Sequence, residues 1–121
     1  MKNRKRTKRS FLPTAILFTI LLSSCALDGG TQEYEKAVLA YENGEYAQAA
    51  ELFEEAIEQN EDRAEYYLYY GFTLIELERY SEAAESFEKV IQEKELASIK
   101  ENNKMAYRGA GIAYYLVSYQ Q

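Results

Sequence analysis

Two stretches of this chain repeat one another at a fixed distance. Tyr46 and Tyr80, Ala49 and Ala83, Ala50 and Ala84, Glu51 and Glu85, Phe53 and Phe87, Glu54 and Glu88, and Ile57 and Ile91 are each 34 residues apart. In one-letter form, GEYAQAAELFEEAI lies over ERYSEAAESFEKVI. Self-similarity at a single period constrains a fold more than any local propensity does. Each copy must form the same unit, and each unit must bury its apolar face against the next.

The residue types identify the unit. Ala49, Leu52, Phe53, Ala56 and Ile57 follow the i, i+3, i+4, i+7, i+8 series of an amphipathic helix, with Glu51, Glu54, Glu55 and Glu58 on the other side. Ala37 and Gly71 are matched small residues in a preceding helix, as Ala49 and Ala83 are in this one. Small side chains there permit close helix approach, Phe53 and Phe87 fill the wedge beyond, and Ala56 and Val90 mark the contact with the following unit. Asn43-Gly44 reads as a helix stop, with Gly suited to the left-handed C′ position. Asp62 and Ser81 read as N-caps, and Asn102-Asn103 as another break. Helices are predicted over roughly 31–43, 46–60, 64–78, 81–100 and 104–119.

The pattern resembles the tetratricopeptide repeat, whose period is 34 residues and whose unit is two helices joined by a tight turn. In a third first-helix, Lys104 to Ser118, the residues Tyr107, Ala110, Gly111, Ala113 and Tyr114 are similar to the family's series of large aromatic, apolar, Gly, Ala and Tyr. Gly111 lies 40 residues after Gly71, so six residues are inserted around Glu93 to Ile99, lengthening the preceding helix or adding a loop. The resemblance implies an all-α helix-turn-helix repeat array over 33–121, an α-solenoid fragment of about five helices. Its units are about 30–63 and 64–97, with a partial unit at 104–121. Some positions depart from the family. Glu33 and Lys36 stand where a large aromatic and a Leu are usual, which suits a solvent-facing terminal unit. The usual Pro near each unit's end is replaced by Glu61 and Glu95. Two and a half units should be modestly stable, since arrays usually need about three.

The segment before the repeats has a different character. Lys2, Arg4, Lys5, Arg6, Lys8 and Arg9 precede Phe11 to Leu22, a mostly apolar, uncharged run of 12 residues. Spanning the hydrocarbon core takes about 20 residues, so the run matches the h-region of a signal peptide. Leu22-Ser23-Ser24-Cys25 resembles the bacterial lipobox: an aliphatic residue, two small residues that let the signal peptidase reach the backbone, and the Cys that takes the lipid. The resemblance implies cleavage after Ser24 and a covalent diacylglycerol on Cys25, with room for an N-acyl chain. Two acyl chains anchor stably where one is marginal. An ordinary signal peptide with an incidental Cys, or an uncleaved anchor, are the alternatives. Residues 25–32 read as a lipidated tether, whose seven residues from Ala26 to Gln32 would reach roughly 15 Å.

Charge and inventory exclude several functions. From Cys25 onward eight basic residues face 20 acidic ones, a balance of −12, which repels nucleic acid and anionic lipid surfaces alike. There is no His and only one Cys, no Gly-rich phosphate loop and no Ser beside a plausible base, so no catalytic residues are nominated and an enzyme is not expected. The i, i+4 pairs Glu51–Glu55 and Glu54–Glu58 read as a solvated acidic face, matching no calcium loop, so no metal and no cofactor beyond the lipid is expected.

What remains is a surface for binding protein. In the family, the first helix of each unit lines the concave face. The matching positions are Tyr34, Val38 and Tyr41, then Leu68, Tyr69, Phe72 and Ile75, then Arg108, Ile112 and Tyr115. Tyr and Arg dominate binding hot spots, and such a groove suits an amphipathic helix or extended apolar segment of a protein or peptide partner. Simple packing of these side chains against neighbouring helices is the other reading. The carboxylate clamp of the chaperone-binding members is missing, because its positions hold Tyr34, Glu35, Val38 and Tyr69. The expectation is an envelope lipoprotein scaffold or adaptor on the outer membrane, or on the outer face of a sole plasma membrane. Ala26 after the Cys is no inner-membrane retention Asp. The alternatives are a self-associating structural lipoprotein and a non-catalytic regulatory subunit of an envelope enzyme.

Overall fold

The structure, a computed structural model, describes residues 29–93 and 96–121. The segment expected to be a signal peptide, and Cys25, lie outside the described residues. Five α-helices follow in order: α1 (Thr31–Glu42), α2 (Tyr46–Gln59), α3 (Ala64–Glu76), α4 (Tyr80–Gln92) and α5 (Lys100–Gln120), with a 3₁₀ turn at Leu96–Ser98 before the last. No strand occurs among the described residues, and no helix there is long and apolar enough to cross a membrane. The array is the all-α helix-turn-helix repeat that the 34-residue period implies.

The hairpins inside each unit are built by the backbone. After α1, the amide of Gly44 bonds to the carbonyl of Tyr41 and that of Glu45 to Ala40, at 3.0 and 2.9 Å. After α3, Glu78 bonds to Ile75 and Arg79 to Leu74, at 3.0 and 2.9 Å. Both are Schellman closures, which need a left-handed residue at C′. Gly44 supplies it at φ 79°, whereas Glu78 is held at φ 60° without the freedom of glycine. Glu45 and Arg79 then start α2 and α4 directly, with no side-chain cap. The expected caps are therefore corrected. Ser81 lies inside α4, and Asp62 precedes the N-cap Arg63, its amide taken by the Asn60 side chain. The Schellman closure already fixes where each second helix begins.

Two further expectations are corrected. The fourth helix ends at Gln92, not near residue 100, and Asn102-Asn103 lies within α5, which starts at Lys100. The 3₁₀ turn Leu96–Ser98 drops Leu96, 2% exposed, into the core, and the final helix starts soon after it. The tether also ends sooner than expected. Gly29 and Gly30 pack against the end of α2, where the Gly30 amide donates to Gln59 Oε1 at 3.1 Å. A Cβ on Gly30 would lie 2.4 Å from the Ala56 carbonyl oxygen, so only glycine permits that approach.

The core repeats as the sequence does. Ala37, Ala49, Phe53 and Ala56 are fully buried in the first unit, and Ala83, Phe87 and Val90 in the second. Phe87 is clamped between two glycines: a Cβ on Gly71 of α3 would come within 2.6 Å of its ring, and one on Gly109 of α5 within 2.5 Å. Burying one such ring contributes roughly 1.5–3 kcal/mol. The small residues are thus the condition for the helix spacing, and the aromatic residue fills it. Ala106, Gly109, Ala110 and Ala113 turn one face of α5 onto the second unit.

Candidate partner-binding face

The first helices form the inner layer, with α3 touching both α1 and α5. The second helices form the outer layer, and α2 and α4 make at most marginal contact with each other. On the inner layer, α1 and α3 gather an aromatic cluster. Tyr34 meets Tyr69 edge-on at 5.8 Å, Tyr41 meets Tyr69 edge-on at 6.3 Å, and Tyr69 stacks on Phe53 at 5.9 Å. Tyr41 also meets Tyr46 edge-on at 5.4 Å. Edge-to-face pairs of this kind each add about 0.5–1.5 kcal/mol beyond area burial, so the rings hold one another in place.

Of the residues nominated from the sequence, Tyr34, Val38, Tyr41, Tyr69, Phe72 and Ile75 are half-buried, each with one side in the core. Phe72 meets Phe87 edge-on at 4.9 Å. Leu68 is corrected: it is 2% exposed and belongs wholly to the core of the second unit. Arg108, Ile112 and Tyr115 stand on α5, 40 residues after Leu68, Phe72 and Ile75, and are exposed. No aromatic pair among the described residues joins Tyr115 to the α1–α3 cluster; its ring packs on Tyr119 at 4.9 Å. Of the ten nominated residues, six are therefore half-buried on α1 and α3, Leu68 is buried, and three are exposed on α5.

Burial acts on the phenols of this face. It pushes Tyr34 up to about 12, with neighbouring Tyr69 and Glu65 adding to the rise, and raises Tyr41, with Glu76 contributing. Both stay neutral hydrogen-bonding groups at any physiological pH. Glu65 and Glu76 leave the rim acidic.

The sequence did not single out Tyr66. It is 1% exposed and stacked under Tyr34 at 4.8 Å, with the Arg63 guanidinium 5.7 Å from its ring centre. Its hydroxyl has no hydrogen-bond partner among the described residues. Its counterpart 40 residues on is Ala106, so no repeat signal marks it. A second unforeseen feature is a cleft of about 460 Å³ on the outer side, between α2 and α4. Glu54, Glu58, Glu82 and Glu85 line it with Tyr67 and Tyr70. Tyr70 donates to Glu54 at 2.5 Å, and its phenol is pushed up by burial and by that bond. No group of His, Cys, Asp and Glu among the described residues is arranged to hold a metal ion.

Comparisons with known proteins agree with this architecture. The family model described as tetratricopeptide repeat matches residues 34–98. The comparisons with curated proteins and with solved structures gave no match. Two helical hairpins in 34-residue register, with matched small and aromatic contacts, underlie the family match, and the chain belongs to the tetratricopeptide repeat family.

Proposed function

We propose that this protein is a membrane-anchored adaptor, held by a lipid on Cys25, that recruits a protein partner through the aromatic face of α1 and α3. Tetratricopeptide repeats generally mediate protein–protein interaction, and the observation that carries the reading here is that face itself. Tyr34, Val38, Tyr41, Tyr69, Phe72 and Ile75 are fixed from behind by the core yet keep exposed surface. Rigid aromatic anchors lose little entropy on binding, which makes them effective hot spots. The partner is an amphipathic helix or extended segment with apolar anchors, and basic residues in it complement the acidic rim.

The anchor rests on the sequence alone: the basic start, the apolar run and Leu22-Ser23-Ser24-Cys25. It places the domain on the outer side of the membrane, in the outer membrane of a two-membrane cell or on the outer face of a sole plasma membrane. The role is non-catalytic and uses no cofactor.

Photocrosslinking in cells tests both parts. A photoreactive residue at Val38 or Phe72 should capture one discrete protein, whereas the same residue at Glu55 on the outer face should not. Equal capture at both positions refutes the face. Metabolic labelling with a fatty acid should mark the protein and fail for Cys25→Ala; labelling that survives this substitution refutes the anchor.

A further inference from the structure

The last helix has an open face that the repeat itself explains. In α3, Tyr67, Gly71 and Leu74 turn toward the second helix of their own unit. The Ser86 hydroxyl of α4 donates to the Tyr67 carbonyl at 2.7 Å, the Phe87 ring lies against Gly71, and Leu74 is 0% exposed. Their counterparts 40 residues on are Tyr107, Gly111 and Tyr114. Among the described residues they stay largely open: Tyr107 and Tyr114 are 61% and 52% exposed, although the Tyr114 hydroxyl donates to Glu88 of α4, and a Cβ on Gly111 would meet nothing within 4 Å. With Lys104 and Ser118 they form a stripe at alternating spacings of three and four, the seam of a two-helix contact. The stripe is nearly symmetric about Gly111, close to the middle of Lys100–Gln120.

We propose that a second copy of this chain covers the stripe, with the two α5 helices packed antiparallel across a two-fold axis at Gly111. This goes beyond the adaptor reading and does not depend on it. Charge selects the occupant and its direction. Lys100, Lys104 and Arg108 all lie in the first half of α5, and the second half has no charged side chain but carries Tyr114, Tyr115 and Tyr119. Antiparallel packing sets the basic side chains of one helix against the tyrosine rings of the other. Parallel packing would superpose like charges. Residues 29–93 carry 17 acidic and four basic side chains, while 100–121 carry one acidic and three basic, so α5 is where two such acidic bodies repel least.

The far end of the array shows why the assembly closes. The α1 residues 34 before Tyr66, Tyr69 and Tyr70 are Gln32, Glu35 and Lys36, all exposed. The tyrosine rings of the stripe find no apolar partner on that polar surface, so head-to-tail filaments are disfavoured and the contact is isologous.

The test uses the full chain in mild detergent. Gly111→Cys in a Cys25→Ser background should form a disulfide-linked dimer on mild oxidation, since two Cβ atoms meet on the axis. Glu55→Cys in the same background should not. Sedimentation of the otherwise unaltered chain should give a concentration-dependent dimer. Gly111→Arg should weaken it at least about tenfold without loss of helicity, because the side chain meets no neighbour within one copy. A monomer at every concentration, equal crosslinking at residue 55, a dimer undisturbed by Gly111→Arg, or capture of a different protein at residue 111 would each overturn the proposal.

Discussion

Two glycines one residue apart in α5 should respond to the same substitution with opposite signs. Replacing glycine by alanine inside a helix gains about 1 kcal/mol, because the backbone loses less entropy on folding. Gly111→Ala should keep that gain, as its new Cβ has open space around it. Gly109→Ala should not. Its Cβ would lie 2.5 Å from Phe87 Cε1 and Cζ, and the ring cannot retreat because Gly71 flanks it with a matching approach of 2.6 Å. Overpacking of a well-filled core costs about 1–3 kcal/mol, which cancels the helix gain and leaves a net loss of up to about 2 kcal/mol. In a domain of this size 1 kcal/mol moves Tm by about 4–8 °C. Thermal melts by far-UV circular dichroism, repeated at falling protein concentration until the midpoint no longer depends on it, should therefore rise for Gly111→Ala and hold or fall for Gly109→Ala. Adding Phe87→Leu to Gly109→Ala should cost less than Phe87→Leu alone, a coupling that a double-mutant cycle reads directly. If both alanine variants rise together and show no coupling to Phe87, α5 is not docked on α4 through this clamp.

Three further outcomes follow from the same geometry. Glu78→Gly should stabilise by about 1 kcal/mol in urea denaturation, since Glu78 holds the left-handed C′ position at φ 60° where Gly44 serves the first unit. Tyr66→Phe should be neutral or stabilising by up to about 1 kcal/mol, because it removes a buried hydroxyl that has no partner among the described residues; a loss above that would reveal a bond to that oxygen. Stability should fall at alkaline pH. Burial raises Tyr34 from 10.0 to about 12 and also raises Tyr41, Tyr67 and Tyr70, so the native state holds these protons more tightly than the unfolded chain. Their contribution is intact below pH 10 and lost as pH climbs toward 12. Denaturant midpoints on both sides of pH 10 should show the decline, and Tyr34→Phe should flatten it.

The period of 34 was enough to determine the helical class, the pairing of helices and the small-against-aromatic contacts at Ala37, Phe53, Gly71 and Phe87, because equivalent positions in stacked units must solve the same packing problem. It also placed Tyr34, Val38, Tyr41, Tyr69, Phe72 and Ile75 on first helices, where the structure leaves them half-buried. What broke the period could be decided only in three dimensions. Leu96 went into the core just before α5, and Asn102-Asn103 joined that helix, because burial of one leucine outweighs the weak breaking tendency of two asparagines. Leu68 sank into the core while Tyr69 beside it stayed half-exposed. A helix turns 100° per residue, and only the position of the neighbouring helix settles which of two adjacent side chains it covers. The open stripe at Tyr107, Gly111 and Tyr114 is of the same kind. Its residues match a covered face of α3, and the tertiary arrangement alone reveals that they stay exposed, Tyr114 while donating its hydroxyl to Glu88 of α4.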